Sequence, residues 1–314
     1  MRARTAGRRR RAAEARQRAA EARQRAAEAQ RRAAETRQWA AETQQRAAIA
    51  AVGAGPQAAR LAVLLSQLRQ LAAVQQRTAA RQLVSAELQE RYADHLSASL
   101  RHCGDVEQRS VFMAAVAAAI GMPSAAVILL GRQHGEAVAA TSDATAQGAH
   151  DLEFVLGEGP VHLSISDGRC IEAAGADLRK NWPQYGPAVA RLGVQAVVVA
   201  PLQPPAHMGA VCAYGSRPAI SEKVATAVGR IADALPLTLA CATGGPQPGD
   251  GVPGLPLFGD AGFPAAIHQA AGMVAQQRGC GISDALALLR ARAFASGRPA
   301  EQIAAAVLRG ELRL

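Results

Sequence analysis

Aromatic residues are scarce in this 314-residue chain, at 3%, although hydrophobic residues reach 49%. Alanine supplies much of that apolar share and buries little area per residue, which argues against one uniform, densely cored globule. Lysine is nearly absent too: Lys180 and Lys223 are the only two among 35 basic residues. With so much Ala, Gly and Arg, the arginine excess reads as a GC-rich coding bias, so a lone arginine says little about an anionic partner. The five cysteines, Cys103, Cys170, Cys212, Cys241 and Cys280, are odd in number, widely spaced and free of any C-x-x-C pair. This speaks against a disulfide framework or a structural zinc site and fits reduced cytosolic thiols.

The signatures of catalysis are also missing. The chain holds no G-x-x-x-x-G-K-[ST], no G-x-S-x-G and no H-E-x-x-H, which removes the P-loop, the nucleophile elbow and the zinc-protease helix. Leu156-Gly157-Glu158-Gly159-Pro160 lacks the third glycine of a dinucleotide fingerprint and reads as a turn. The seven histidines do not cluster at ligand spacing, and His162 and His207 read as surface or hydrogen-bonded side chains. No enzymatic activity, metal or cofactor is expected. The N-terminus has no apolar core of a secretory signal. The one long uncharged run, residues 110–131, is cut by Gly121-Met122-Pro123 into a helix, Val111–Ile120, and a buried strand over 125–130. A membrane span is therefore not expected, and the chain reads as soluble and cytoplasmic.

What is present falls into blocks. Of a net charge of +10, residues 1–50 carry +9, residues 105–243 carry −3 and residues 264–314 carry +3. Residues 12–50 repeat every seven positions, and Ala12, Ala15, Ala19, Ala22, Ala26 and Ala29 alternate by three and four, the seam of a coiled coil. Glu14, Glu21, Glu28 and Glu42 each precede an arginine by four, worth roughly 0.2–0.5 kcal/mol per pair. An alanine seam alone holds a partner weakly, and its basic faces read first as solvated. Gly53-Ala54-Gly55-Pro56 ends this block (1–52). A second helix over 57–102, in the block 57–104, carries Leu61, Leu64, Leu65, Leu68 and Leu71 at helical spacing, then Val84, Leu88, Tyr92, Leu96 and Leu100. Its larger side chains make it the better association surface.

From residue 105 the period changes. Short apolar runs at 125–130, 136–141, 170–173, 195–201 and 208–214, flanked by helices at 111–120 and 221–242, predict an α+β domain on an antiparallel sheet. Residues 244–263 hold seven Gly and four Pro and read as a linker. Three short helices follow, at 264–278, 283–296 with Ser283 as N-cap, and 299–309 with Pro299 at the first position. Ile267, Ala270, Ala271, Val274, Leu286, Leu289, Ala293, Ile303 and Val307 form their core face. A unit of this size with such small core residues needs support from a partner.

Two segments carry resemblances. His150-Asp151-Leu152-Glu153-Phe154-Val155-Leu156-Gly157-Glu158-Gly159-Pro160, followed by Lys180-Asn181-Trp182-Pro183-Gln184-Tyr185, Leu192-Gly193-Val194, Val197–Leu202 and Met208–Val211, resembles bacterial GAF sensor domains over 105–243. Ile267–Val274, Gly279, Ser283-Asp284-Ala285, Leu288-Leu289-Arg290, Ala293, Gly297-Arg298-Pro299 and Ile303-Ala304 resemble the ANTAR domain over 264–314. The ANTAR resemblance implies a homodimeric transcription antiterminator whose three-helix bundles bind hairpins in nascent mRNA. The GAF resemblance implies sensing of a small molecule or protein signal. His268, Arg278, Arg290, Arg292 and Arg298 are the candidate RNA-binding residues, while Gly272 and Ala285 are expected to permit close helix packing. The family's Ala-Lys-Gly stands here as Ala270-Ala271-Gly272, one basic contact fewer, and the long helix that usually leads into the bundle is replaced by the Gly/Pro linker. Two other readings stay open: a helix-turn-helix binding DNA, and a coiled-coil interaction protein in a signalling complex.

Overall fold

A computed structural model describes residues 2–51, 56–99, 111–130, 136–202, 209–243 and 265–314. The Gly/Pro linker expected at 244–263 lies outside the described residues, as do His207 and the last residues of the helix expected to reach 102.

The two N-terminal blocks are helices, α1 (Arg2–Ala51) and α2 (Pro56–Ser99), and they pack on each other as an antiparallel hairpin. Arg23 pairs with Glu90, Arg16 with Asp94 and Ser97, Thr36 with Gln75, and Arg69 with Gln44, so the partner numbers fall as the α1 numbers rise. The alanine seam is satisfied inside the chain: Ala12, Ala15, Ala19, Ala22, Ala26, Ala33 and Ala40 are buried. The facing seam of α2 uses Ala72, Ala79, Ala86 and Ala93, with Gln82 and Gln89 between them. Small side chains on both helices let the backbones approach, and the stability comes from many contacts of about 0.8 kcal/mol or less each. Thr36 sits buried in this seam with its hydroxyl 2.8 Å from Arg32 O and 3.0 Å from the Gln75 side-chain amide. The ion pairs Glu14–Arg18, Glu21–Arg25 and Glu28–Arg32 form at 3.7, 3.4 and 3.9 Å on the exposed faces.

With Ala12 and Leu65 taken as a positions, Arg16, Arg23, Gln44, Arg69, Glu90 and Ser97 all fall at e, as does the exposed Leu83, so one rim of the hairpin is largely polar. Tyr92, Leu71, Leu64 and Trp39 all fall at g, on the opposite rim, as an antiparallel pair requires.

The α/β domain follows: α3 (Val111–Ile120), β1 (Ser124–Leu130), β2 (Glu136–Thr141), α4 (Ala144–Leu156), α5 (Pro160–Asp167), β3 (Ile171–Ala174), α6 (Ala176–Asn181), α7 (Tyr185–Ala190), β4 (Ala196–Pro201), β5 (Gly209–Gly215) and α8 (Glu222–Thr243). The five strands form one antiparallel sheet in the order β2-β1-β5-β4-β3. Period-two alternation sends Val127, Leu129, Val198, Ala200, Val211 and Ala213 to one face, and Ala126, Ile128, Val197, Val199, Cys212 and Tyr214 to the other. The first face is covered by α3, α8 and the second half of α2, through Val84, Leu88, Tyr92 and Leu96. Tyr92 meets Phe112 edge to face at 5.7 Å, and the Ser85 and Thr238 hydroxyls bond at 2.9 Å. The second face is covered by α4, α5 and the α6–α7 segment.

The C-terminal helices are α9 (Ala265–Arg278), α10 (Ile282–Ser296) and α11 (Ala300–Leu308). The expected core face is buried, with Leu286 partly so. Three expectations need correction. α10 starts at Ile282 with Gly281 as its N-cap, two residues before Ser283. Pro299, with ψ 141°, caps α11 instead of opening it. A Cβ at Gly272 would meet nothing within 4 Å, so this glycine does not set helix packing, whereas Ala285 is fully buried. The support the bundle needs comes from the same chain: Phe154 of α4 is buried in the bundle's core cluster.

Candidate functional site

Four helices of the α/β domain, α4 to α7, went unread in the sequence, and they build the site. α4 begins on Asp143, whose carboxylate accepts from Ala146 N at 2.9 Å. It ends on Gly157 at φ 68°, whose N–H donates to Glu153 O, the left-handed cap that glycine adopts without strain. Its buried face is Ala146, Ala149, His150, Glu153 and Phe154, correctly spaced for a helix but carrying a histidine and a glutamate at core positions.

The turn after α4 is held by its two glutamates. Glu153 Oε1 accepts from Val161 N at 2.7 Å, His162 N at 3.0 Å and His162 Nδ1 at 3.1 Å. It thereby caps α5, where Pro160 stands in the first turn and Gly159 offers no side chain. A carboxylate is the complement of the exposed N–H groups and dipole at a helix start. A Cβ on Gly159 would lie 2.3 Å from Glu153 Cδ, so glycine is needed there for space. Glu158 Oε1 accepts from Gln184 N at 2.6 Å and Tyr185 N at 2.7 Å, capping α7. The Gly157-Glu158-Gly159-Pro160 turn thus fastens two later helices to α4.

Behind this clamp lies a buried polar group of side chains. Glu153 is 2% exposed, and its Oε2 has no hydrogen-bond partner; the Tyr185 hydroxyl is likewise buried without one, and the Tyr214 hydroxyl is buried against the Cys212 thiol. Burial pushes both phenols well above the usual tyrosine range, reinforced at Tyr185 by the Glu153 charge and at Tyr214 by Cys212, Tyr185 and Glu153. Both hydroxyls therefore keep their protons. Each unsatisfied buried group costs about 1–3 kcal/mol, and an acceptor beside O–H groups is a set that a water or another small polar molecule can satisfy. Trp182 closes the cluster edge-on to Tyr185 at 6.4 Å. Sequence reasoning missed Tyr185 and Tyr214 as a pair because only the fold brings β5 and α7 together.

The outer side of α4 meets the C-terminal bundle. The Arg290 guanidinium stacks 4.3 Å above the Phe154 ring, and Glu301 lies close enough to Asp151 and His150 to feel their charges. Burial raises the Glu301 pKa, Asp151 adds to the rise and His150 opposes it.

The candidate RNA-binding residues do not share one surface. Arg290 is turned toward α4, and Arg292, two residues on and about 200° around the helix, is exposed. Arg278 donates to the Leu314 carbonyl, while Arg298 is exposed beside Gln302. His268 lies on α9, but its side chain falls outside the described residues. Phe294, which the sequence reading passed over, is 65% exposed on α10, between Arg292 and Arg298 in sequence. Among the described residues no group of three or more His, Cys, Asp or Glu is placed to hold a metal ion, and no helix is long and apolar enough to cross a membrane. Cys170, Cys212 and Cys280 are not joined in disulfides.

No family model matches the chain, and no curated protein matches it. One solved structure similar in part is a domain of a two-component sensor histidine kinase protein from Sinorhizobium meliloti 1021. It is 16% identical, covers 41% of this chain and 85% of its own, and has a TM-score of 0.33. A likeness at that score carries no argument.

Proposed function

We propose that the protein is a signal-responsive, RNA-binding transcription antiterminator of the cytoplasm, working as a homodimer. In this reading the α/β domain is a GAF-type sensor and the C-terminal helices are an ANTAR-type bundle. The observation that carries it is the exposure of an aromatic ring, Phe294, and of two arginines, Arg292 on α10 and Arg298 just past its end, on a small helical unit. Exposed rings and guanidinium planes stack on unpaired bases, the part of an RNA hairpin open to sequence recognition, and arginines add phosphate contacts. The sequence resemblances of 105–243 and 264–314 support the same assignment.

The coupling follows from α4. Its inner side carries Glu153, beside the buried tyrosines, and its outer side carries Phe154, under Arg290. A small polar molecule or protein signal that rearranges the Glu153–Tyr185–Tyr214 group shifts α4. That shift loosens the bundle and frees Arg290 to join the other arginines on RNA.

The test uses the full chain. Crosslinking to cellular transcripts is expected to enrich hairpins ahead of terminators, and Arg292→Glu with Arg298→Glu is expected to abolish that enrichment without unfolding. These two arginines are the clean choice because Arg290 also holds the bundle to α4. Equal enrichment in the double variant, or preference for duplex DNA in competition, overturns the reading.

A further inference from the structure

The g rim of the hairpin changes its surroundings halfway along. In its second half α2 turns Val84, Leu88 and Tyr92 from this side into the α/β domain. In its first half the same side of the same helix carries Val63, Leu64, Leu71 and Val74, all exposed. The heptad register is unbroken between the two halves, so both apolar patches lie on one side of α2, the covered one separated from the uncovered one by Arg77, Thr78 and Arg81.

The opposing helix adds to the uncovered half. Trp39 falls at g on α1, and the antiparallel register that sets Arg18 near Tyr92 sets Trp39 level with Leu71. Ile49, at c, lies on the same side near the hairpin's far end. Trp39 is 65% exposed and Ile49 70%, and the α2 residues range from 44% for Leu64 to 58% for Val63. The e rim, by contrast, carries the Arg23–Glu90, Arg16–Ser97 and Arg69–Gln44 bonds, with Leu83 as its one large exposed apolar side chain among the described residues, so most of the exposed apolar surface of the hairpin lies on the g side.

We infer that this face is a homodimer interface: the distal halves of two hairpins pack g rim to g rim into a four-helix bundle. A second copy is the occupant that the size and charge of the face fit. Six such side chains at these exposures present on the order of 600 Å², and two copies remove on the order of 1,200 Å², the lower bound of a stable interface. The rim is self-complementary in charge, with Glu35 and Glu42 at c on α1 and Arg46 and Arg60 at g and c nearby. A twofold operation brings the same patch of each copy onto the other, carboxylates toward guanidiniums. This names the surface for the dimer proposed above. Its test reads mass and not RNA binding, so either proposal fails without the other.

The experiment is sedimentation equilibrium on the full chain, with tryptophan emission followed on dilution. Wild type is expected at twice the chain mass, and its emission is expected to shift to the red on dilution as Trp39 is uncovered, since Trp182 is buried in either state. Leu64→Glu with Leu71→Glu is expected at one chain mass with undiminished helical circular dichroism. If that variant loses helicity, the dilution shift of the wild type decides. A wild type that is monomeric throughout overturns the inference, as does a dimer that survives in the folded double variant. Binding of the monomer to anionic phospholipid vesicles through the same residues would also overturn it, by giving the face to a lipid surface.

Discussion

Phe154→Ala is the most direct perturbation of the link between the α/β domain and the C-terminal bundle. The ring is 7% exposed, belongs to the bundle's core cluster and lies under the Arg290 guanidinium at 4.3 Å. Truncating a buried phenylalanine costs about 3–5 kcal/mol, the range that includes lost transfer energy and the cavity left behind. The lost cation–π contact is worth about 0.5–2 kcal/mol and is partly counted in that range. Docking should therefore weaken by about 3 kcal/mol at the least, a factor of more than about 100 in the docking equilibrium. The rest of the bundle's core is alanine, valine, leucine and isoleucine, too small a reservoir to absorb such a loss. Hydrogen exchange read by mass spectrometry checks this: amides of α9, α10 and α11 should exchange about 100-fold faster, while those of β1, β4 and β5 stay protected. On the coupling proposed above, the same variant should bind hairpin RNA more tightly, because Arg290 is released. Unchanged exchange in α9–α11 would refute the argument, since it would mean the bundle does not depend on α4.

Three further outcomes are expected. Glu153→Gln keeps an acceptor for the α5 N–H groups but removes the charge, and should lower the urea-unfolding stability by about 1–2 kcal/mol; Glu153→Ala leaves those groups unanswered and should cost about 3 kcal/mol or more. Equal losses in the two variants would show that the cap is not what Glu153 contributes. Docking should tighten in mild acid: the Glu301 pKa is raised in the docked state by burial and Asp151, so docking takes up a proton as pH falls through that raised value. The gain is complete below the ordinary carboxylate range, and Glu301→Gln should remove this part of the pH dependence when protease cleavage after residue 243 is followed. Finally, Gly159→Ala should destabilise the α/β domain strongly, because its methyl would occupy the space of the Glu153 carboxylate. A melting temperature within a degree or two of wild type would contradict the packing described.

The sequence by itself determined the element types wherever hydrophobic period and punctuation agree. The heptad alanines gave α1, the short apolar and β-branched runs bounded by Gly and Pro gave the five strands, and Val111–Ile120 emerged with its boundaries intact. It failed at α4 because two of the core positions of that helix are His150 and Glu153, which no apolar template counts. It failed at α6 and α7 because six residues are too few to display a period, and α7 contains Gly186-Pro187. The tertiary structure alone decided what each apolar face meets. An alanine seam reads the same whether it closes on a second chain or on α2, and only the antiparallel register shows that it closes internally. Likewise, four arginines and a histidine of the C-terminal bundle read as one basic surface, until the fold turns Arg290 onto Phe154 and leaves Arg292 on the far side of α10. Periodicity is a property of neighbours in the chain; which face is covered, and which carboxylate ends beside which tyrosine, depends on residues far apart in sequence.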